Sequence, residues 1–159
     1  MTRDATEADA TDAQFDGDVT LASELAVTEV WLVEGDHSPA GVPSAERIAR
    51  TLRAAQRQCG RDRPPRIERS ASLPEALERT SAVPGWLASV PERHLATPIE
   101  VDPRAGARLL VGPEGGLSGA EEALAVRAGL RPLALGPWVL PTPTAVAAGL
   151  ARMLGGLRT

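Results

Sequence analysis

The stretch Leu109-Leu110-Val111-Gly112-Pro113-Glu114-Gly115-Gly116-Leu117-Ser118 limits what this chain can become more than any other. Three branched apolar residues enter a glycine turn, and Ser118 with Glu121 three positions later is the signature of a capped helix start. The glycines let the backbone turn, or approach a ligand, where a side chain would clash. Further on, Leu135-Gly136-Pro137-Trp138-Val139-Leu140 repeats the arrangement after the strand-like run Leu133-Ala134-Leu135. Each loop alone is an ordinary strand-to-helix turn. Neither carries the Gly-Lys-Ser/Thr of a phosphate loop or the three spaced glycines of a dinucleotide fold. As a pair, they fit the place where an open α/β sheet holds a small molecule, at the carboxyl ends of its strands.

The charge distribution is as uneven as the glycine distribution. Residues 1–36 hold ten acids and one arginine, whereas the remainder holds sixteen arginines against eleven acids. The formal net charge of −4 therefore conceals a basic body. There is no lysine, so every fixed cation is a guanidinium, the group best shaped for phosphate. Residues 1–18 are expected to form an acidic, disordered tail, because Asp, Thr, Ala and Glu bury little. Residues 19–159 are expected to form a single domain, long enough for one good core. The lone Cys59 excludes an internal disulfide and fits a reducing compartment. No apolar run approaches a membrane span, and the residues after Met1 do not resemble a signal peptide, so a cytoplasmic location is expected.

Residues 44–59 give the clearest helix. Ile48, Leu52, Ala55 and Cys59 share one side at helical spacing, and Gly60 supplies a stop. Arg47, Arg50, Arg53, Arg57 and Arg61 fall within roughly a 120° arc on the other side. Such a stripe suits either a solvated face or a phosphate contact. Eight arginines against three acids between Glu46 and Arg69 favour the phosphate contact. A short helix is expected from Ser72 to Arg79. Strands are expected near 28–33, 85–90, 107–111 and 131–135, with a short helix leading into the first from Leu21. Strands alternating with helices imply a mainly parallel sheet covered on both faces. His37 and His94 lack metal-ligand neighbours at useful spacing, so no metal is expected.

These blocks resemble the RsmE group of ribosomal RNA (uridine-N3) methyltransferases, in the SPOUT superfamily. The resemblance rests first on Gly112-Pro113-Glu114-Gly115-Gly116, which is complete. It rests also on Leu135-Gly136-Pro137-Trp138-Val139-Leu140-Pro141-Thr142-Pro143-Thr144-Ala145, similar to the family's Leu-Gly-x-x-Ile-Leu-Arg-Thr-Glu-Thr-Ala. Ser23, Glu24, Leu25 and Val27 match the family's Lys-x-Thr-Glu-Leu-Gly-Val, with Leu21 at its lysine and Ala26 at its glycine. Ala55, Gln58, Cys59 and Arg61, then Pro65, match Ala-x-x-Gln-Ser/Cys-x-Arg and its following proline.

The resemblance implies a deep C-terminal trefoil knot, a homodimer packed through it, and S-adenosylmethionine bound bent within it. It implies backbone contacts to adenine from Leu135, Gly136, Val139 and Leu140, and a ribose and methionine cradle from Gly112, Pro113, Glu114, Gly115 and Gly116. Leu87, Thr142 and Thr144 would complete the donor site. RNA would meet Arg50, Arg53, Arg57 and above all Arg61; the resemblance leaves the catalytic residues unknown, with Arg61, Glu114 and Thr142 as the candidates. The family's separate β-barrel RNA-binding front domain has no counterpart in the acidic residues 1–18.

Departures from the pattern fall on chemistry. The family's arginine and glutamate of Leu-Arg-Thr-Glu-Thr are Pro141 and Pro143 here, and a further arginine is Trp138. Three readings follow: an RNA methyltransferase of the RsmE type; a knotted homologue that binds RNA, a partner or the cofactor without turnover; and an unrelated α/β nucleotide-binding enzyme, against which the matches at four separated blocks over residues 21–150 count.

Overall fold

The computed structural model describes residues 5–38, 43–89, 99, 101–102 and 105–155. His94 and most of the connection before Val101 lie outside them. The chain divides into two compact units, Met1–Leu32 with Pro39–Glu68, and Val33–Ser38 with Arg69–Thr159.

In the first unit, helix α1 (Ala5–Glu24) packs along helix α2 (Ala45–Cys59). The expectation of a disordered acidic tail through residue 18 is therefore corrected from Ala5 onward. The stretch contains apolar anchors that its average composition hides: Phe15 and Val19 are buried, as is Ala22 one turn on. Its acids are also not all solvated. Asp16 Oδ2 lies 2.6 Å from Arg47 Nη2, and Thr51 donates to Asp16 Oδ1. On α2, Ser44 caps the start by accepting from the Arg47 amide, and Gly60 ends it at φ 71°. Thr51 and Ala55 are its buried residues, whereas Ile48, Leu52 and Cys59 are half-buried.

Strand β1 (Glu29–Val33) pairs with strand β2 (Arg66–Ser70) in a two-stranded sheet. Strand β2 was not foreseen: two prolines precede it and its side chains alternate charge with a single isoleucine.

The second unit is built on a parallel three-stranded sheet in the order β4-β3-β5, formed by β3 (Gly85–Ser89), β4 (Arg108–Leu110) and β5 (Leu130–Ala134). Trp86 stands opposite Leu109 and Arg131, and Leu87 opposite Leu110 and Pro132. A proline is admissible in β5 because that strand lies at the edge of this sheet. Alternation along β3 sends successive side chains to opposite faces. Leu87 packs with Leu73 and Leu77 of helix α3 (Leu73–Arg79) and Ala125 of helix α4 (Gly119–Arg127). Trp86, with Val101 and Leu133, packs on the other face against Met153 of helix α5 (Thr142–Gly155). The sheet thus has helices on both faces, as the alternation of elements implied.

Arg108 draws the bottom of this unit together. Its Nη1 donates to Leu77 O at 3.0 Å and to Thr80 Oγ1, and its Nη2 to Ala128 O at 3.4 Å, so one guanidinium serves the carboxyl ends of two helices. Burial lowers its pKa from the ordinary arginine value.

Candidate functional site

The two glycine-proline loops leave the carboxyl ends of β4 and β5, the strands that flank β3. The first closes on itself. Gly116 N donates to Pro113 O at 2.8 Å, and Gly116 takes φ 73°. A side chain on Gly112 would stand 3.0 Å from the Leu117 amide nitrogen, so the turn requires glycine there. Ser118 then begins α4 with a complete capping box: its hydroxyl accepts from Glu121 N, and Glu121 Oε2 accepts from Ser118 N at 2.8 Å.

Thr142 joins the second loop to the first. Its hydroxyl donates to Gly112 O at 3.2 Å, so it is a bridge between the two loops. Arg152 donates to Ala134 O, fixing α5 against the end of β5. A Cβ on Gly149 would lie 2.6 Å from Leu109 Cδ2, so only a glycine lets α5 cross β4 this closely without displacing a side chain.

The expected donor-site residues divide by environment. Gly112, Pro113, Gly116, Leu135, Gly136, Leu140 and Thr142 are half-buried around this junction, whereas Glu114, Gly115, Val139 and Thr144 are exposed. Trp138 is 78% exposed and Val139 74%, the two most open large apolar residues described. Leu87 is wholly buried in the core cluster, where its side chain packs the sheet.

Two residues were overlooked in the sequence. Ser89 ends β3, the central strand, and among the described residues its buried Oγ has no hydrogen-bond partner. An orphaned hydroxyl at the head of a strand between two ligand loops is a polar atom that a bound molecule can satisfy. His37, in the turn after β1, sets its Nδ1 3.0 Å from Gly116 O. No short-range signal could have found that contact, which spans 79 positions. A groove of about 470 Å³ lies nearby, lined by Glu34, Asp36, Ser72, Pro74, Glu121 and Arg127 among others; its three acids make it a poor phosphate site.

The arginines belong to the first unit and differ among themselves. Arg50, Arg53 and Arg57 are exposed. Arg61 is half-buried, and its Nη1 donates to Ser23 O and Val27 O, both at 2.9 Å. It ties down the carboxyl end of α1, where Ala26 takes φ 62°. Among the described residues, no group of three or more His, Cys, Asp or Glu could hold a metal, and no helix is long and apolar enough to cross a membrane.

Backbone loops at the heads of parallel strands, here bridged by one threonine, are the place where an open α/β sheet holds a small molecule. A family model described as an RNA methyltransferase domain matches residues 10–154, and the chain belongs to that family. The ribosomal RNA small subunit methyltransferase E of Neisseria gonorrhoeae, solved bound to S-adenosyl methionine, aligns with a TM-score of 0.78 at 29% identity, over 90% of this chain and 61% of that one. A probable rRNA-methyltransferase from Porphyromonas gingivalis gives 0.76 at 23% identity, over 91% and 62%. The methyltransferase Lpg2936 of Legionella pneumophila, solved with its cofactor SAM, gives 0.73 at 23%, over 91% and 62%. At 23% identity the last two establish a shared fold. The chain spans about three-fifths of the length of these structures. No curated protein sequence matches the chain.

Proposed function

We propose that this chain binds S-adenosylmethionine at the two-loop junction and methylates a ring nitrogen in RNA, as an enzyme of the RsmE type within the SPOUT superfamily. The observation that carries the reading is the Thr142–Gly112 bridge, which brings the two glycine-proline loops together at the heads of the strands that flank β3. Backbone groups of Leu135, Gly136, Val139 and Leu140 would hold the adenine, and the Gly112–Gly116 turn the ribose and methionine. The bound cofactor supplies a sulfonium methyl that needs no further activation. The protein's own task is alignment of the attacking nitrogen, and a fixed loop cradle suits that task. Leu109 against Gly149 places α5 directly across β4, a crossing in keeping with a knotted C-terminus. A second copy of the chain would cover Trp138 and Val139, and exposed apolar side chains of this size commonly mark such an interface. RNA, with ribosomal RNA the first candidate, would meet Arg50, Arg53 and Arg57 in the cytoplasm.

Calorimetry with S-adenosylmethionine tests the donor site: heat of binding at high micromolar cofactor is expected, and none would end the reading. Transfer of labelled methyl to ribosomal RNA from a methylation-deficient strain then separates enzyme from binder. The second reading, a binding homologue without turnover, is favoured by one observation. The loop from Leu135 to Pro141 contains no ionisable side chain. Cofactor binding without transfer would select it.

A further inference from the structure

The loops around the proposed donor site are poor in groups that can take a proton. Leu135 to Pro141 contribute none, and Val111 to Ser118 contribute only the exposed Glu114. Glu121, although close, is occupied: Oε2 accepts from Ser118 N and Oε1 from Asp36 N. His37 is different. Its ring is exposed, and among the described residues its one hydrogen-bonding contact is from Nδ1 to the carbonyl of Gly116. A carbonyl oxygen can only accept, so Nδ1 must be the protonated nitrogen, and in the neutral ring Nε2 then carries the lone pair.

The ring is held and not merely nearby. The turn that presents it is closed by Ser38 N donating to Gly35 O at 3.1 Å and by Gly35 N donating to Ser38 Oγ at 3.0 Å. It is tied to the start of α4 by Asp36 N donating to Glu121 Oε1 at 3.0 Å. Gly35 itself has no room for a Cβ, which would sit 2.6 Å from that same Oε1. On the other side, a Cβ on Gly115 would stand 3.0 Å from His37 Cβ, so the Gly-Pro-Glu-Gly-Gly turn is shaped against the histidine. One carboxylate, Glu121, therefore sets both the helix that ends the donor loop and the turn that carries His37.

Resting on the donor reading above, we infer that His37 is the proton acceptor of the transfer step, with Nε2 directed at the RNA base. As the attacking ring nitrogen forms its bond to the methyl carbon, the carbon–sulfur bond of the donor breaks and its electron pair stays on sulfur. The proton released by that nitrogen passes to His37 Nε2. General base assistance of this kind contributes about 10²–10⁴-fold.

The decisive pair of variants is His37→Asn, whose amide can still donate to Gly116 O, and His37→Ala, which cannot. With S-adenosylmethionine and ribosomal RNA as probes, His37→Asn is expected to bind cofactor within about twofold of the parent and to lose about 100-fold or more in single-turnover methyl transfer. His37→Ala should lose transfer equally and weaken cofactor binding as well. Independently of turnover, long-range nitrogen–proton spectra of the imidazoles should show Nδ1 protonated and Nε2 bare; the chain has two histidines, so a His94→Gln sample assigns them. Full transfer by His37→Asn would overturn the inference and leave His37 as a loop support, with the donor reading intact. A ring protonated at Nε2 and bare at Nδ1 would overturn it, as would cofactor binding by the parent without transfer. Failure of the parent to bind cofactor would remove the donor reading together with it.

Discussion

Asp16 keeps its charge against the grain of its surroundings. Burial works to raise its pKa, but the hydrogen bond from Thr51, then the hydrogen bond and charge of Arg47, then the charge of Arg50 outweigh it and hold the carboxyl below its ordinary value. A depressed folded-state pKa means that the stabilisation is complete above the unfolded value, about 3.9. It fades as pH falls through the folded value. Asp16→Asn is accordingly expected to cost about 1 kcal/mol near neutral pH, at the low end because the pair is partly open to solvent. The deficit should shrink as pH falls below the unfolded value and through the depressed folded one, and urea titrations at several pH values would show it. Ala26 makes the opposite case. With φ at 62° it occupies backbone space suited to glycine, at the position where the family motif has one. Ala26→Gly should raise stability by about 1 kcal/mol, visible as a higher thermal midpoint. The sequence showed that a glycine was replaced; it did not show that the backbone had kept the glycine conformation.

Elements were legible where local chemistry decides and illegible where distant contacts do. Ser44, Ser72 and Ser118 each begin a helix as capping residues, because a hydroxyl three positions before a free amide is a local fact. Helix α1 was missed because its support is Phe15, Val19 and Asp16 against another helix, and average composition speaks only of solvation. The arginines of the stripe differ in the folded chain. The periodicity placed five guanidinia along one side of α2, but Arg47 and Arg61 are spent on Asp16 and on the carboxyl end of α1. Replacing Arg50, Arg53 and Arg57 together should lower the log–log salt slope of RNA binding by about two to three. Arg61→Ala should leave that slope unchanged while costing about 1–3 kcal/mol, since it strands two carbonyls. At the crossing of α5 over β4, Gly149→Val should cost about 1–3 kcal/mol, because Leu109 must move from its packed position. Chemical denaturation would measure it.

At the scale of the molecule, the parallel sheet and its coverage on both faces followed from the order of elements, and the two loops were found from their glycines alone. What joins the loops was not readable. Thr142 reaches Gly112 across 30 positions, and His37 reaches Gly116 across 79. Such contacts are properties of the folded chain, in which β3 separates β4 from β5 and brings the heads of all three strands together.

The position of α5 has one more consequence. It is synthesised after every strand it covers, and Met153 is the part of it that seals Trp86 and Leu133. Until that helix arrives, a growing chain carries a sheet with one sticky side bare. Closure of this sheet therefore depends on an element made after all three of its strands, and chaperone demand should be greatest in the interval just before that helix docks.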